Sequence, residues 1–156
     1  MCRRSLIGAT LSDAHPQLRR RHAIPPAFAE LATSERFMLA SLAGLGSSGR
    51  RNPVHVHSKL MFVDDEWATV GSCNLHRFSL FGNSEMNAAF AESDAVRAFR
   101  CELFREHLDH DTSDMDDRSA LNLFRAIARE NRRKLEIGEC DWQGLAFELV
   151  LATYPG

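Results

Sequence analysis

A histidine and a lysine separated by a single residue, His57 and Lys59, are the pair in this sequence best suited to chemistry. They lie in the segment 54–63, whose β-branched and apolar residues predict a buried strand. Side chains alternate between the two faces of a strand, so His55, His57 and Lys59 should share one face. An imidazole nucleophile and an ammonium group about 7 Å apart on that face can hold one phosphate. The pair therefore predicts chemistry on a phosphate group.

Small and neutral polar residues follow the second predicted strand, 67–70. Gly71 permits a close approach of the backbone, while Ser72 and Asn74 offer neutral donors to phosphate oxygens. Glu85 is a natural acceptor for the second ring nitrogen of a histidine, where it would fix the tautomer and stabilise the imidazolium. These residues predict a phosphate-binding loop assisted by a carboxylate.

Asp64 lies at the end of the first predicted strand, where the acidic run 64–66 indicates a turn. In a regular strand its side chain would point away from the face that carries His57 and Lys59. We therefore predict that Asp64 holds the turn and takes no part in the chemistry.

Zinc binding is the alternative for the same stretch. The possible ligands are His55, His57, Cys73 and His76. A structural zinc site needs four ligands, and no second recognisable ligand pair accompanies the His-x-His pair. The four cysteines are scattered without CxxC spacing, which favours free thiols in a reducing compartment. We therefore expect neither a metal nor a cofactor.

The spacing of the candidate residues resembles the HKD signature of the phospholipase D superfamily. The matching residues are His57, Lys59, Asp64, Gly71, Ser72, Asn74 and Glu85. The later segments NLHRFSLFGNSEMNAAF and FRCELFREHLDHD resemble the C-terminal half of bacterial phospholipase D and cardiolipin synthase-like proteins. The similarity extends from near residue 25 to the end of the chain and is most specific from His55 to Glu85.

The resemblance implies metal-free cleavage of a phosphodiester in two steps, through a phosphohistidine. One histidine attacks phosphorus, while the histidine of a partner motif protonates the leaving oxygen and later activates water or an alcohol. His57, Lys59 and Glu85 would be the catalytic residues, and Ser72 and Asn74 would bind phosphoryl oxygens. Whether His57 is the nucleophile or the acid–base group stays open.

The active site of the superfamily needs two such motifs, and this sequence carries one. A homodimer would supply a second copy, as in the short single-motif nucleases of the superfamily. Alternatively, the chain is the C-terminal half of a two-motif protein. We favour the second arrangement, because the residues before the motif show little of the strand–helix–strand pattern expected upstream.

The flanking resemblance implies a phospholipase D or cardiolipin synthase-like phosphodiesterase or phosphatidyltransferase that acts on phospholipids. The head group, and the choice between hydrolysis and transfer to an alcohol, stay open. A homodimeric metal-independent endonuclease and a catalytically silent remnant are the alternatives. The sequence has 19 basic and 21 acidic residues, and its net charge of −2 disfavours a dedicated nucleic-acid binder.

The elements around the motif predict an α/β fold, a partial phospholipase D-type repeat with a mixed β-sheet flanked by helices. The arginine-rich segment 1–24 is weakly patterned, and the domain is expected to span 25–156. Strands are predicted over 54–63, 67–70 and 86–90, and helices over 25–33, 93–108 and 118–137. Ser93 is the predicted N-cap of its helix, and Gly138 ends the last one.

The sequence contains no apolar run as long as the roughly 18 residues of a membrane span. The N-terminus shows no secretory signal. We therefore expect a cytoplasmic protein, or one bound peripherally at the cytoplasmic membrane. Phe78 and Phe81 are candidates for a lipid-contacting rim, whereas Trp67 is expected in the core.

Overall fold

The fold combines short strands with helices. A computed structural model describes residues 22–23, 31, 33–34, 36–74, 77–149 and 151–152. The strands in these ranges are β1 (His22–Ala23), β2 (Ala40–Leu45), β3 (Arg51–Pro53), β4 (Lys59–Val63), β5 (Trp67–Gly71), β6 (Asn87–Phe90), β7 (Ala146–Glu148) and β8 (Leu151–Ala152). The helices are α1 (Arg77–Phe81), α2 (Ser93–Leu108) and α3 (Asp117–Ile137). The predicted α/β class is confirmed.

Strands β4, β5 and β6 form one antiparallel sheet in that order. Strands β4 and β5 make a hairpin whose register places Lys59 opposite Gly71. One face of the sheet packs on α2, where Phe62 and Val96 are buried together. Because successive strand side chains point to opposite faces, Lys59 belongs to the face away from α2.

A second antiparallel sheet has β2 between β3 and β7, and α3 packs against β7. The main core brings together apolar side chains of α2, α3 and this sheet, including Leu42, Phe104, Leu108, Phe124 and Ala146. Burial of a leucine or phenylalanine side chain contributes about 1.5–3 kcal/mol, so this core contributes strongly to stability.

Helix α3 has a capping residue at each end. The Asp116 side chain accepts a hydrogen bond from the Ser119 backbone N–H at 2.6 Å, which satisfies one free donor of the first turn. At the other end, Gly138 adopts the left-handed conformation with φ 83°, a conformation that glycine adopts without a steric penalty. The predicted helix 118–137 is confirmed to within one residue.

The predicted N-cap of α2 is wrong by one position. Glu92 has extended geometry and occupies the N-cap, and Ser93 is the first helical residue. The Glu92 carbonyl accepts from the Val96 N–H at 2.9 Å, which is the first bond of the helix. A serine in this region favours a cap, but the hydrogen-bond pattern decides which residue becomes one.

The predicted strand 54–63 forms only in its second half, because β4 begins at Lys59. Residues 54–58 are irregular, and His57 is exposed. Strand β5 reaches only to Gly71, which pairs with Lys59, so the ladder stops there. The Val54 N–H instead donates to the Leu42 carbonyl of β2 at 2.9 Å. The face of His57 is therefore set by a loop rather than by strand alternation.

The predictions for the N-terminal part of the chain fall mainly outside the described residues. In the segment 1–24, only the pair His22–Ala23 is described, as a strand parallel to β8. The predicted helix 25–33 lies almost entirely outside the described ranges. None of the helices in the described part of the chain is long and apolar enough to cross a membrane.

His107 lies on the inner side of α2, although its position beside the acidic loop 109–117 suggests a solvated side chain. Its ring meets that of Phe124 edge-on, with 6.3 Å between centroids. Its Nδ1 is buried without a hydrogen-bond partner among the described residues. Burial lowers the pKa of His107, and the nearby charge of Glu106 opposes this only in part.

We expect the protein to lose stability as the pH falls below the ordinary histidine pKa of 6.5. Below that pH, His107 takes up a proton more readily in the unfolded chain than in the folded protein, where burial disfavours the charged ring. The free energy of unfolding therefore decreases with falling pH until folded His107 is also protonated. Urea unfolding across this range, for wild type beside His107→Gln, measures the effect. The wild type should lose stability more steeply, and parallel losses in the two proteins would contradict the assignment.

Candidate active site

The predicted catalytic and phosphate-binding residues lie on segments at one end of the sheet β4–β5–β6, whereas Asp64 lies in the turn at the other end. Lys59, Gly71 and Asn87 lie directly opposite one another across its three strands. His57 comes two residues before this row on the first strand segment, and Glu85 comes two residues before it on the last. Antiparallel pairing thus brings the segments of His57 and Glu85 to the same end of the sheet.

A hydrogen bond links the side chain of Lys59 to the backbone of His57. The Lys59 Nζ donates to the carbonyl oxygen of His57 at 2.6 Å. The exposed His57 ring stacks on that of His55, with 6.1 Å between centroids and 21° between planes. An ammonium has three donors, so Lys59 can keep this bond and still bind a phosphate oxygen. The pair is accessible to a phosphodiester from solvent.

Gly71 marks a place where two strands approach too closely for a side chain. A Cβ at this position would overlap the backbone carbonyl oxygen of Met86 and the side chain of Asn87. The Asn87 Oδ1 instead accepts from the Cys73 N–H at 3.2 Å. The absence of a side chain at Gly71 therefore lets Asn87 hold the loop that carries Ser72 and Asn74.

Ser72 is bound to the segment 85–86. Its hydroxyl donates to Glu85 Oε2 at 2.5 Å and accepts from the Met86 N–H at 3.0 Å. The Ser72 N–H also donates to the Met86 carbonyl at 3.0 Å. The only hydroxyl proton of Ser72 is therefore engaged with Glu85, and binding a phosphate would require it to rotate. The neighbouring Asn74 is exposed.

Glu85 accepts a hydrogen bond from the Ser72 hydroxyl. The Ser72 hydroxyl, and after it the Ser79 hydroxyl, lower the pKa of its carboxyl; desolvation opposes them, and the positive charge of Lys59 adds a still smaller lowering effect. The predicted partner of Glu85 was an imidazole. In the described part of the chain, its hydrogen bond comes from Ser72 instead. The carboxylate is thus held ionised at the same end of the sheet as His57.

The hairpin turn after β4 is held by Asp65. The Glu66 N–H donates to the Val63 carbonyl at 3.0 Å, while Asp64 and Asp65 both have positive φ, at 53° and 54°. Asp65 binds Arg100 through two hydrogen bonds of 2.7 Å. Burial lowers the pKa of Arg100, but the hydrogen bond and charge of Asp65 outweigh it, and the net shift is upward.

Asp64, for which we predicted the turn-holding role, makes no such pair. One of its carboxylate oxygens is buried without a hydrogen-bond partner among the described residues. Aspartate tolerates the left-handed backbone of this turn better than most residues. A structural role for Asp64 therefore stays a prediction, and the ion pair at the turn belongs to its neighbour.

Two residues with a structural role escaped the sequence analysis: Asn87 at the site, and Asp65 in the turn at the opposite end of the sheet. Asn87 acts on the Gly71 loop only because β5 and β6 pair in one register. The one signal available was Asp65 in an acidic run, and the sequence offers no way to pair it with Arg100, 35 residues away.

The zinc alternative finds no support in the described part of the chain. There, no three or more His, Cys, Asp or Glu side chains converge as a metal site. His76, one of the possible ligands, lies outside the described residues. Cys73, Cys101 and Cys140 are free thiols.

Comparison with known families gives the class of the protein. The family model described as "Cardiolipin synthase, PLD-like domain" matches residues 27–107, just over half of the 156 residues. This range contains every predicted site residue and the whole sheet β4–β5–β6. The chain belongs to this family of phospholipase D-like domains.

Curated relatives are phospholipases D from several eukaryotes. The chain is 32% identical over 119 residues to phospholipase D alpha 2 of Brassica oleracea var. capitata, covering 69% of the chain and 14% of that protein. It is 27% identical over 113 residues to phospholipase D B of Dictyostelium discoideum, covering 56% of the chain and 9% of that protein. It is 35% identical over 65 residues to phospholipase D alpha 4 of Arabidopsis thaliana, covering 37% of the chain and 8% of that protein. The chain thus matches only 8–14% of the length of these relatives.

Proposed function

We propose that this chain supplies one half of a two-motif site that cleaves phospholipid phosphodiesters through a phosphohistidine. One observation carries the proposal: the segments of His57, Lys59 and Glu85 lie at one end of a sheet, where the His57 ring is exposed and the charge of Lys59 acts on the Glu85 carboxylate. Membership of the phospholipase D-like family supports a phosphodiester as substrate, and the names of the matched relatives support phospholipids.

The proposed reaction has two half-reactions. A histidine ring nitrogen attacks phosphorus, and the bond to the leaving oxygen breaks with its electron pair on that oxygen. The leaving oxygen takes a proton from the second histidine. That histidine then removes a proton from water or an alcohol, whose oxygen displaces the imidazole and releases the product. His57 fills one of these two positions.

The other side chains stabilise charge during these steps. Lys59 neutralises the negative charge that builds on the non-bridging oxygens. The Glu85 carboxylate stabilises the imidazolium that forms when a histidine carries the transferred proton. Asn74 adds neutral donors to the phosphoryl oxygens from its exposed position. Ser72 contributes to phosphate binding if its hydroxyl rotates away from Glu85.

A second histidine must come from outside this half-site, because general acid catalysis contributes typically 10²–10⁴-fold. A second copy of the chain would supply another His57 and Lys59. Further sequence of a longer protein, such as the matched relatives, would supply a different motif. The two arrangements differ in how activity depends on protein concentration: pairing of free copies makes the specific activity rise as the chain is concentrated.

Exposed apolar side chains beside the site support a lipid surface as the location of the substrate. We define the apolar rim as Phe78, Phe81 and Met86, of which Phe81 is 84% and Met86 82% exposed. Phe78 and Phe81 belong to α1, whose Ser79 carbonyl lies 3.8 Å from the Cys73 thiol on the loop after β5, and Met86 directly follows Glu85. Large apolar side chains grouped on a surface are typical of membrane or protein contacts.

We expect the double variant Phe78→Ser with Phe81→Ser to bind phospholipid vesicles at least about tenfold more weakly, because each buried phenylalanine contributes roughly 1.5–3 kcal/mol. Co-sedimentation with phosphatidylcholine–phosphatidylglycerol vesicles measures the partition. Leu45→Ser is the matched control, since Leu45 is 61% exposed but lies on the other sheet. Equal vesicle binding of the double variant and wild type would contradict the proposal that the apolar rim contacts lipid.

The proposed function is tested by phosphodiester hydrolysis in excess EDTA. The assay uses phosphatidylcholine vesicles, a chromogenic phosphodiester and DNA, with the chain over a range of concentrations and with the longest natural form of the protein. We expect release of the lipid head group that survives the chelator. Turnover that EDTA abolishes and a divalent metal restores would contradict the proposal. Cleavage of DNA alone, with a steep inverse dependence on salt, would identify the nuclease instead.

A further inference from the structure

Asn87, the first residue of β6, carries an amide on the face of the sheet that carries Lys59. Asn87 lies directly opposite Gly71, and Gly71 lies directly opposite Lys59. Directly opposed residues of antiparallel strands have their side chains on the same face of the sheet. Neighbouring strands are about 4.8 Å apart, so roughly 10 Å separates the Cα atoms of Asn87 and Lys59. Because Gly71 has no side chain, no group of β5 stands between them on this face.

The Asn87 side chain leans over Gly71. Its Oδ1 lies so close to Gly71 that a Cβ there would overlap it, and it accepts from the Cys73 N–H at 3.2 Å. A backbone N–H can only donate, so this bond determines that the oxygen of the amide faces Cys73. The Nδ2 carries two donor protons, and no acceptor among the described residues takes them. Asn87 is exposed, so these protons are accessible from solvent.

The hydroxyl of Ser72 is less free to donate than this amide. Its one proton is given to Glu85 Oε2 at 2.5 Å, and a phosphate oxygen could take that proton only after the hydroxyl turns away from the carboxylate. Lys59 has three donor protons and uses one of them on the His57 carbonyl. A phosphate that Lys59 binds over Gly71 therefore has a neutral donor ready in Asn87, with no rearrangement of the loop.

We propose that Asn87 is a further phosphate-binding residue, whose Nδ2 donates to a non-bridging oxygen of the phosphodiester that Lys59 holds. This inference rests on the function proposed above, because it takes a phosphate bound by Lys59 as the ligand. The Asn87 Oδ1 keeps its bond to the Cys73 N–H, so one amide holds both the loop after β5 and the substrate. Negative charge builds on the non-bridging oxygens during phosphoryl transfer, and a donor fixed in this way stabilises it.

The test is a titration with inorganic phosphate in excess EDTA, followed by proton–nitrogen NMR of the Asn87 side-chain amide and the His57 ring. We expect both signals to shift along the same saturation curve. Asn87→Asp keeps an oxygen for the Cys73 N–H but has no amide donor, so phosphate should bind at least about tenfold more weakly. Asn87→Ala loses both groups, so it should also weaken binding and should shift the Cys73 N–H signal before phosphate is added.

Ala89→Asp is the matched control for the charge that Asn87→Asp adds. Ala89 is exposed on the same face of β6, two residues or about 7 Å further from the site. We expect Ala89→Asp to weaken phosphate binding clearly less than Asn87→Asp does. Equal losses in these two variants would assign the effect to charge alone and overturn the proposal. Wild-type affinity in Asn87→Ala would overturn it as well.

The same titration separates a failure of this proposal from a failure of the proposed function. A His57 ring that responds to phosphate beside an Asn87 amide that does not would overturn the role of Asn87 and leave the proposed function standing. If neither group responds, the phosphate site itself is refuted, and the role of Asn87 with it. The wild-type measurement needs neither turnover nor a variant, so it stays decisive if a substitution disturbs the loop.

Discussion

His57→Ala is expected to reduce phosphodiester turnover in the assembled enzyme by at least about 10²–10⁴-fold, the typical contribution of an acid–base catalyst. The loss follows in either role, because without the imidazole there is neither a nucleophile nor a proton carrier at this half-site. The fold should be unaffected, since His57 is an exposed loop residue. Surface substitutions of this kind change stability by less than about 0.5 kcal/mol. The measurement is kcat on a chromogenic phosphodiester in excess EDTA, with the melting temperature of each variant.

His55→Ala is the matched control for this prediction. The two histidines are stacked at 6.1 Å and both are exposed, so they share a local environment. Only His57 precedes Lys59 by two residues, with its carbonyl bound to the ammonium. We expect His55→Ala to keep most of the turnover. Comparable turnover in His57→Ala and wild type would remove His57 from the chemistry, and equal losses in both variants would point to the loop rather than to one ring.

Asp65→Ala is expected to lower the free energy of unfolding by about 3–5 kcal/mol, because it leaves a buried guanidinium without its carboxylate. Arg100 is 3% exposed and its partner only 14%, so little water can replace the lost bonds. The loss is a large part of the roughly 5–15 kcal/mol that holds a typical domain together. Urea unfolding of wild type and variant measures it directly.

Two further variants separate the ion pair from the backbone. Asn, like Asp, tolerates the φ of 54° at this turn. If the lost charge is the cause, Asp65→Asn should therefore lower the free energy of unfolding nearly as much as Asp65→Ala. Glu102→Ala removes the partner of Arg105 in an exposed pair, and such pairs contribute no more than about 1 kcal/mol. If Asp65→Ala cost no more than Glu102→Ala, Asp65 would not anchor the hairpin.

The helices and the hairpin could be predicted because their signals are local. Helix α3 has a strong apolar stripe, an aspartate cap and a terminating glycine within one continuous segment, and each signal acts over a few residues. The acidic turn between β4 and β5 follows from the run 64–66 in the same way. Strand β2 gives no such local signal, because its sequence ASLAGL has weak strand propensity and the strand is held by pairing with β3 and β7.

The site could be predicted in its residues but only partly in its contacts. The spacing of His57, Lys59 and Glu85 is readable in the sequence, and strand pairing does bring their segments together. The hydrogen bond from Ser72 to Glu85 could not be predicted, since it depends on the register in which β5 and β6 pair. Likewise, the loop geometry of His57 depends on where β5 ends, which strand alternation alone does not determine.

The central claim is that His57 and Lys59 hold one phosphate group without a metal. We would titrate the protein with inorganic phosphate in excess EDTA and follow the His57 imidazole by proton–nitrogen NMR. We predict a saturable shift of the His57 ring nitrogens that Lys59→Met weakens and His55→Ala preserves. A His57 ring that does not respond to phosphate, or responds only after a divalent metal is added, would contradict the claim.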